Sequence, residues 1–284
     1  MEIINRRQRM ASIARKLRRE NKTVGFVPTM GALHEGHLEL IRQARQMSDA
    51  VIVSIFVNPA QFNDKKDLER YPRDLAADAA MLAEYDVDHI FAPEPGEIYP
   101  EGFSTYVYVE GLTENLEGAS RPGHFRGVAT VVSILFNTIR PDIAVFGQKD
   151  AQQLAMIRKM TRDLGYETEI VAVPTVREPN GLARSSRNDL LSLEAREKAA
   201  VIFASLREAE EAYQKGERKG AKLVEMVENA ISEESAAEID YISLVAPDTL
   251  EPVDTIGDTP ALIAAAVRFD GVRLIDNIIL EKKQ

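Results

Sequence analysis

The sequence predicts an α/β fold built on a doubly wound, mostly parallel sheet, followed by a smaller α+β domain. Three observations predict it. Short β-branched runs alternate with helical spacings from residue 24 to about 173, the pattern of βαβ crossovers. One of those runs, Ala50 to Val57 (AVIVSIFV), is apolar almost throughout, as in a strand covered on both faces. Beyond about residue 190 the order changes to helices followed by strands. The first part is therefore Rossmann-like, and the expected division is a domain over 1–175 and a second, C-terminal α+β domain over 176–284.

Taken in order, residues 5 to 20 are basic and helix-forming, with Met10, Ile13, Ala14 and Leu17 on one side. Val24 to Val27 reads as a strand, and Leu38, Leu40, Ile41 and Ala44 mark the buried side of the helix after it. A second strand covers Ala50 to Val57; a helix follows at about Asp74 to Tyr85 and a strand at Asp88 to Ala92. A Pro- and Gly-rich loop then leads to an alternating segment, Ser104 to Val109, expected as a strand and a candidate pairing edge. A long apolar helix runs from about Gly127 to Thr138 and is stopped by Pro141. Ile143 to Phe146, a helix over Asp150 to Leu164 and a strand over Thr168 to Val173 complete the series. In the C-terminal part, helices are expected over Leu193 to Gln214 and Ala221 to Ile231. Strands follow over Ile239 to Val245, Leu262 to Arg268 and Val272 to Leu280, the last two joined by the hairpin signal Asp270-Gly271.

Bulk properties bound the function. At 284 residues, with 45 % hydrophobic and 28 % charged residues, the chain is globular and long enough for two cores. A net charge of −10 argues against general nucleic-acid binding. There is no cysteine, hence no disulfide, thiol nucleophile or thiolate metal site. The N-terminal segment lacks the apolar core of a signal peptide, and no run is long enough to span a bilayer. The expectation is a cytoplasmic enzyme with no membrane partner.

The stretch Pro28-Thr-Met-Gly-Ala-Leu-His-Glu-Gly-His37 lies between the first strand and its helix. His34 and His37, three residues apart, share a face at the helix start, where unpaired N–H groups and the helix dipole favour an anion such as phosphate. The ordinary alternative is a capping or solvated histidine. A P-loop is excluded, because His37-Leu38 stands where Lys-Ser/Thr is required. His-x-Gly-His after a strand resembles the signature of the nucleotidyltransferase superfamily that also contains class I aminoacyl-tRNA synthetases.

In doubly wound sheets ligands bind beyond the carboxyl ends of the strands. Polar segments cluster there: PTMGALHEGH, Asn58-Pro-Ala-Gln61, Gly147-Gln-Lys-Asp150 and Pro174-Thr-Val-Arg177. Asn58 and Gln61 are neutral donors and acceptors suited to hydroxyls and carboxylates, although Asn58-Pro59 also fits an ordinary turn. Lys149 supplies a compact charge for phosphate or carboxylate. Asp150 suits either a helix cap or a ribose hydroxyl. Of Gln152 and Gln153, at least one is expected to face the pocket, with simple solvation open to the other. Residues 178–189 (EPNGLARSSRND) form a polar loop with two serines and two arginines that can close over a triphosphate. The ordinary alternative is a flexible interdomain linker, and the two are compatible, since a mobile linker makes a natural lid.

Together, PTMGALHEGH, FVNPAQF, YPRD, RPGHFRGVATVV, FGQKDAQQ and REPNGLARSSRN resemble the pantoate–β-alanine ligase family, in order from about residue 24 to 192. The resemblance implies ATP-dependent condensation of pantoate with β-alanine through a pantoyl adenylate, releasing pyrophosphate and AMP. It implies an ATP site lined by Met30, Gly31, Ala32, Leu33, His34, Glu35, Gly36 and His37, by Gly147, Gln148, Lys149 and Asp150, and by Val176, Arg184, Ser185, Ser186 and Arg187. His37, His34, Lys149 and Arg187 are the implied catalytic residues, with Lys149 stabilising the pentavalent transition state. Gln61, Gln153 and Asn58 are the implied pantoate and β-alanine contacts; Arg121 and His124 lie in a family motif without an assigned role. Mg2+ is implied by the pyrophosphate leaving group, with no protein ligand identified, and a homodimer is typical of the family. Arg184 and Ala60 each replace a methionine usual in the family. The C-terminal domain carries no catalytic constellation and is expected to close the site against water.

Two other readings are open to the sequence. A regulatory nucleotide-binding module is opposed by the presence of Lys149, Gln61, Gln153 and Arg187. Nucleotidyl transfer to a phosphate ester calls for more cations than Asn58, Gln61 and Gln153 provide.

Overall fold

A computed structural model describes residues 1–63 and 65–282. They form two compact units, one of residues 1–148 and 156–174, the other of residues 149–155 and 175–284.

The first unit contains β1 (Glu2–Ile4), α1 (Arg7–Arg19), β2 (Val24–Thr29), α2 (Glu35–Met47) and β3 (Ala50–Ile55). Then come α3 (Lys65–Arg70), α4 (Leu75–Ala83), β4 (His89–Phe91), α5 (Pro95–Ile98), α6 (Leu116–Ser120), α7 (His124–Ile139) and β5 (Ile143–Gly147). Helix α8 (Ala151–Asp163) begins in the second unit and continues in the first, and β6 (Glu169–Val173) completes the sheet. The strands lie in the order β1-β4-β3-β2-β5-β6, and every neighbouring pair is parallel. Adjacent strand residues point to opposite faces. Val27 packs in the cluster that contains Leu38, Ile41 and Ala44 of α2, whereas the Phe26 ring meets Phe136 of α7 edge-on. Helices α2 and α7 therefore cover opposite faces, as a doubly wound sheet requires.

The direction in which strands are added reverses at β2: β3, β4 and β1 lie to one side, β5 and β6 to the other. The β2–β3 ladder runs from Val24 to Thr29, but β2 pairs with β5 only at Gly25 and Phe26. Beyond Phe26 the two strands part. Pro28, with no N–H to donate, is tolerated on this diverging side. In doubly wound sheets such a switch point is where the ligand-binding crevice lies.

The segment 104–109, expected as a strand, is not one. Two of its backbone groups bond side chains instead: Val107 N–H donates to Thr130 Oγ1 of α7 at 3.0 Å, and Val109 C=O accepts from Thr113 Oγ1 at 2.7 Å. Helix α7 starts at His124, one turn before the expected Gly127. Strand β1 is not legible in the sequence, because three residues carry too little alternation to register.

The second unit packs α9 (Leu193–Lys198), α10 (Val201–Gln214) and α11 (Gly220–Ser232) with an antiparallel sheet of β7 (Glu238–Val245), β8 (Ala261–Phe269) and β9 (Val272–Leu280). Asp270 and Gly271 have φ of 49° and 74°, the left-handed pair that closes a two-residue hairpin. The single helix expected over 193–214 is instead two. At the junction the hydrogen bonds tighten, Ala200 N–H donating to Glu197 C=O and Ile202 N–H to Ala199 C=O.

Residues 178–189 do not form a loose linker. Arg177 and Ala183 bridge in antiparallel fashion, and Arg177 makes a two-pronged pair with Asp276 at 2.6 and 3.0 Å. Glu178, its side chain 10 % exposed, accepts from Arg196 Nε and Nη2, Arg184 Nη1 and Asn188 Nδ2. Burial works to raise the Glu178 carboxyl pKa; hydrogen bonds from Arg196 and Asn188 and the charges of Arg196 and Arg184 overcome it and hold the pKa below its ordinary 4.5. A carboxylate with a depressed folded pKa stabilises fully above its unfolded pKa, and that stability is lost as pH falls through the folded value. Glu178→Gln should lower stability near neutrality by about 1.5–3 kcal/mol, the worth of hydrogen bonds to a charged group. In thermal melts its deficit should shrink as pH falls below 4.5. A deficit independent of pH would contradict the ion-pair origin.

Candidate active site

The loop between β2 and α2 is a nearly closed hydrogen-bond system. Gly31 and Ala32 adopt left-handed φ of 82° and 52°, turning the chain sharply after β2. Asp78 of α4, 5 % exposed, receives the turn: Oδ2 accepts from Ala32 N–H at 3.1 Å and Oδ1 from Leu33 N–H at 2.9 Å. Gly31 N–H donates to Thr29 Oγ1. Leu33 itself lies in the core against α2.

His34 is the N-cap of α2. Its Nδ1 accepts from Gly36 N–H at 3.1 Å, and His37 Nδ1 accepts from His34 N–H at 3.3 Å. The two rings stack 4.1 Å apart, tilted by 36°. A Cβ at Gly36 would lie 2.8 Å from His34 Cε1, so glycine is needed there to admit the ring. A neutral imidazole carries one proton, and a nitrogen that accepts from an amide cannot carry it. Each ring is therefore protonated at Nε2. The sequence suggests that backbone amides at this helix start are open to an anion. Instead the N–H groups of Gly31, Ala32, Leu33, His34, Gly36 and His37 are taken inside the loop, the last by His34 C=O. The imidazoles, with Nδ1 engaged, keep Nε2–H as their remaining donor.

The second cluster centres on Gln61, in the 3-10 turn Pro59–Gln61 after β3. Its Nε2 lies 3.0 Å from Met30 Sδ, joining this turn to the histidine loop. Its Oε1 accepts from Asn58 Nδ2 at 3.0 Å. Asn58, 1 % exposed, also donates to Gly127 C=O, while its Oδ1 accepts from Ala60 N–H and Tyr99 O–H. Two donors and two lone pairs are thereby all used. Asn58, implied as a substrate contact, thus has its carboxamide fully engaged within the protein, one of its partners being Gln61. His124, without a role in the sequence, holds the same turn: its Nδ1 lies 2.8 Å from Gln61 C=O, which fixes the proton on Nδ1, and Arg121 meets its Nε2 at 3.3 Å. Helix α7 comes so close that a Cβ at Gly127 would sit 2.3 Å from Ala60 O.

Gly147 ends β5 and Gln148 opens the 3-10 turn Gln148–Asp150. In the second unit, Lys149, Ser185 and Arg187 line one recess with Asn188, Arg273 and Asp276. Asn277 Nδ2 donates to Lys149 C=O at 2.9 Å, anchoring that turn within the unit. Asp150 is half exposed, 4.0 Å from Lys149 Nζ. Gln152 is buried and Gln153 half-buried. Ser185 Oγ accepts from Arg187 N–H and caps the 3-10 turn that begins at Ser186. Val176 C=O accepts from Arg184 N–H, and the Arg184 guanidinium pairs with Glu178 and lies 3.7 Å from Asp189. Glu35 opens α2 on an exposed position.

Asp78 and Tyr99 carry no signal of their roles in the sequence. An acidic residue in a first turn has an ordinary explanation in the helix dipole, and a tyrosine in a Pro-rich loop stands out from nothing around it.

The fold and its strand-end site define a Rossmann-like α/β protein of the nucleotide-binding kind. The profile of the Pantoate-beta-alanine ligase family matches residues 2–279. A pantothenate synthetase of Pelotomaculum thermopropionicum is 51 % identical over 280 residues, 99 % of each chain. One of Heliobacterium modesticaldum is 52 % identical over 281 residues, 99 % of this chain and 100 % of the relative. The crystal structure of pantothenate synthetase from Thermus thermophilus superposes with a TM-score of 0.90 at 45 % identity, covering 99 % of this chain and 100 % of that one. The pantoate-β-alanine ligase of Francisella tularensis, complexed with β-γ ATP and β-alanine, gives 0.80 at 36 % identity, covering 100 % and 99 %. The chain belongs to the pantoate–β-alanine ligase family, and it is an enzyme, a ligase.

Gly127→Ala should force the 59–61 turn away from α7, costing about 1–3 kcal/mol as an overpacked contact and lowering activity through Gln61. Gly96→Ala, with nothing within 4 Å of its added Cβ, is the control and should leave both unchanged. Thermal melts and steady-state rates of the two variants check this, and equal behaviour of the pair would contradict it.

Proposed function

We propose that this ligase condenses (R)-pantoate with β-alanine in two steps at the cost of one ATP. A pantoate carboxylate oxygen attacks the α-phosphorus, pyrophosphate leaves, and a pantoyl adenylate forms. The amine of β-alanine then attacks the acyl carbon, the C–O bond breaks, and AMP departs with that oxygen. The observation that carries this reading is the pair of imidazoles held at Nδ1 and protonated at Nε2 at the head of α2. Two N–H donors beside a helix N-terminus suit the charge that grows on an α-phosphate in the transition state.

In this reading His34 and His37 hydrogen-bond the α-phosphate, and Met30 to His37 otherwise shape the ATP site rather than donate from the backbone. Gly147, Gln148 and Asp150 border the ribose and phosphates. Lys149 and Arg187 supply positive charge to the phosphates, with Ser185 and Ser186 as neutral donors. Val176 and Arg184 contribute backbone only, since the Arg184 guanidinium is paired with Glu178. Gln61 and Gln153 bind pantoate, and Asn58 supports Gln61 from behind.

Among the described residues no three His, Asp or Glu side chains gather into a metal cage. That fits Mg2+, which keeps water and substrate phosphates as most of its ligands. Bound there, it would neutralise the pyrophosphate leaving group. The family's homodimer has a candidate face in the extended segment 104–109, which exposes Tyr106 and Tyr108. No described helix is long and apolar enough to cross a membrane, and a cytoplasmic setting is proposed on that footing.

ATP–pyrophosphate exchange tests the reading. It should require pantoate but not β-alanine, and should fall by about 100-fold or more in His37→Ala and in Lys149→Ala, as for loss of one transition-state donor. ATP binding without pantoate-dependent exchange would sink it.

A further inference from the structure

A carboxamide used for recognition has two ends, one a donor and one an acceptor, and its selectivity depends on which end faces the ligand. At Gln61 the polarity is set from behind. Ala60 N–H can only donate and Gly127 C=O can only accept, so together they fix the Asn58 carboxamide, with Oδ1 toward the first and Nδ2 toward the second. Asn58 Nδ2 then requires Gln61 to turn Oε1 toward it, which leaves Nε2 as the end on the Met30 side. The fourth bond to Asn58 is from Tyr99, whose hydroxyl lies 2.8 Å from Oδ1. This bond differs from the others in being the only one of the four that neither a backbone group nor Gln61 supplies.

We propose that Tyr99 is a positioning residue for pantoate recognition: its hydroxyl, acting through Asn58, holds the Gln61 carboxamide so that its N–H end faces the substrate. The inference rests on the assignment of Gln61 to pantoate made above. Tyr99 reaches Asn58 from the residue that follows α5, where its N–H bonds Pro95 C=O at 2.7 Å. Its ring is wedged between Phe56 and Phe103, with centroids 6.4 and 5.1 Å away. The ring therefore has little freedom, and the hydroxyl approaches Asn58 along one direction. Burial raises the Tyr99 pKa far above its ordinary 10.0, against the smaller lowering by Asn58, so the hydroxyl keeps its proton and acts as a donor throughout the working pH range. The chemistry presented to the substrate is thus an N–H donor, matched to a carboxylate or hydroxyl oxygen and mismatched to an ammonium group.

Tyr99→Phe removes the hydroxyl and keeps the ring packing, so the variant is expected to fold. It should raise KM for pantoate about three- to tenfold, the worth of one buried hydrogen bond, with KM for ATP unchanged and kcat within about twofold. A double-mutant cycle with Gln61→Ala separates positioning from structure: the Tyr99→Phe effect should vanish when Gln61 is absent. The second readout does not need turnover. In 1H–15N spectra the Gln61 side-chain amide, assigned by its loss in Gln61→Ala, should shift and exchange faster with solvent in Tyr99→Phe. Equal kinetic effects in both backgrounds, or an unmoved Gln61 amide, would overturn the inference. If the wild type showed no dependence on pantoate while the amide still responded to Tyr99→Phe, the pantoate assignment would fail and the positioning role would stand.

Discussion

A helix start must find acceptors for its first amides, and at the head of α2 those acceptors are imidazole nitrogens. His34 Nδ1 takes Gly36 N–H, and His37 Nδ1 takes the N–H of His34. This one constraint settles several things together. It occupies the N–H groups of His34 and Gly36, fixes the tautomer of both rings, and holds the rings at stacking distance. A cap is normally a structural device worth about 0.5–2 kcal/mol. Here the same two bonds prepare two N–H donors whose direction is set before any ligand arrives, so little reorganisation is needed when charge develops. The capping role and the proposed catalytic role are not alternatives; the first prepares the donors that the second would use.

The sheet supplies the place. Strands β2 and β5 pair at Gly25 and Phe26 and then separate, so the loop that carries the histidines emerges at the switch point. Asp78 braces that loop from α4, and helix α7 braces the turn after β3 through Gly127, His124 and Asn58. The histidine loop and the Gln61 turn are thus each backed by buried groups of neighbouring elements. The glycines at 36 and 127 serve the same end, since a side chain at either would strike a ring or a backbone carbonyl.

Much of this was legible in the sequence. The parallel sheet, the strand-end polar segments and the hairpin at Asp270-Gly271 all followed from apolar spacing and turn chemistry. What escaped has a common physical cause. Segment 104–109 has the alternation of a strand, but its N–H and C=O groups bond side chains of Thr130 and Thr113, which no local pattern reveals. Residues 178–189 have the composition of a linker, yet Glu178 and Arg177 tie the segment to Arg196 and Asp276 far along the chain. Asn58 looked like a ligand contact because it is polar and follows a strand. Only the partners from Tyr99 and Gly127 show that its hydrogen-bonding capacity is full. Local chemistry fixes which groups are present; tertiary contacts decide which of them remain available.

The most direct measurement follows one oxygen. Pantoate labelled with 18O in its carboxylate would be turned over with ATP and β-alanine, and the products analysed by mass spectrometry. A pantoyl adenylate requires one labelled oxygen to appear in the phosphate of AMP, because the carboxylate oxygen that attacked phosphorus leaves with it. Label in inorganic phosphate together with ADP would mean an acyl phosphate and attack at the γ-phosphorus, and AMP free of label would mean that no carboxylate oxygen reached the α-phosphorus. Either result would contradict the role given to the two histidines.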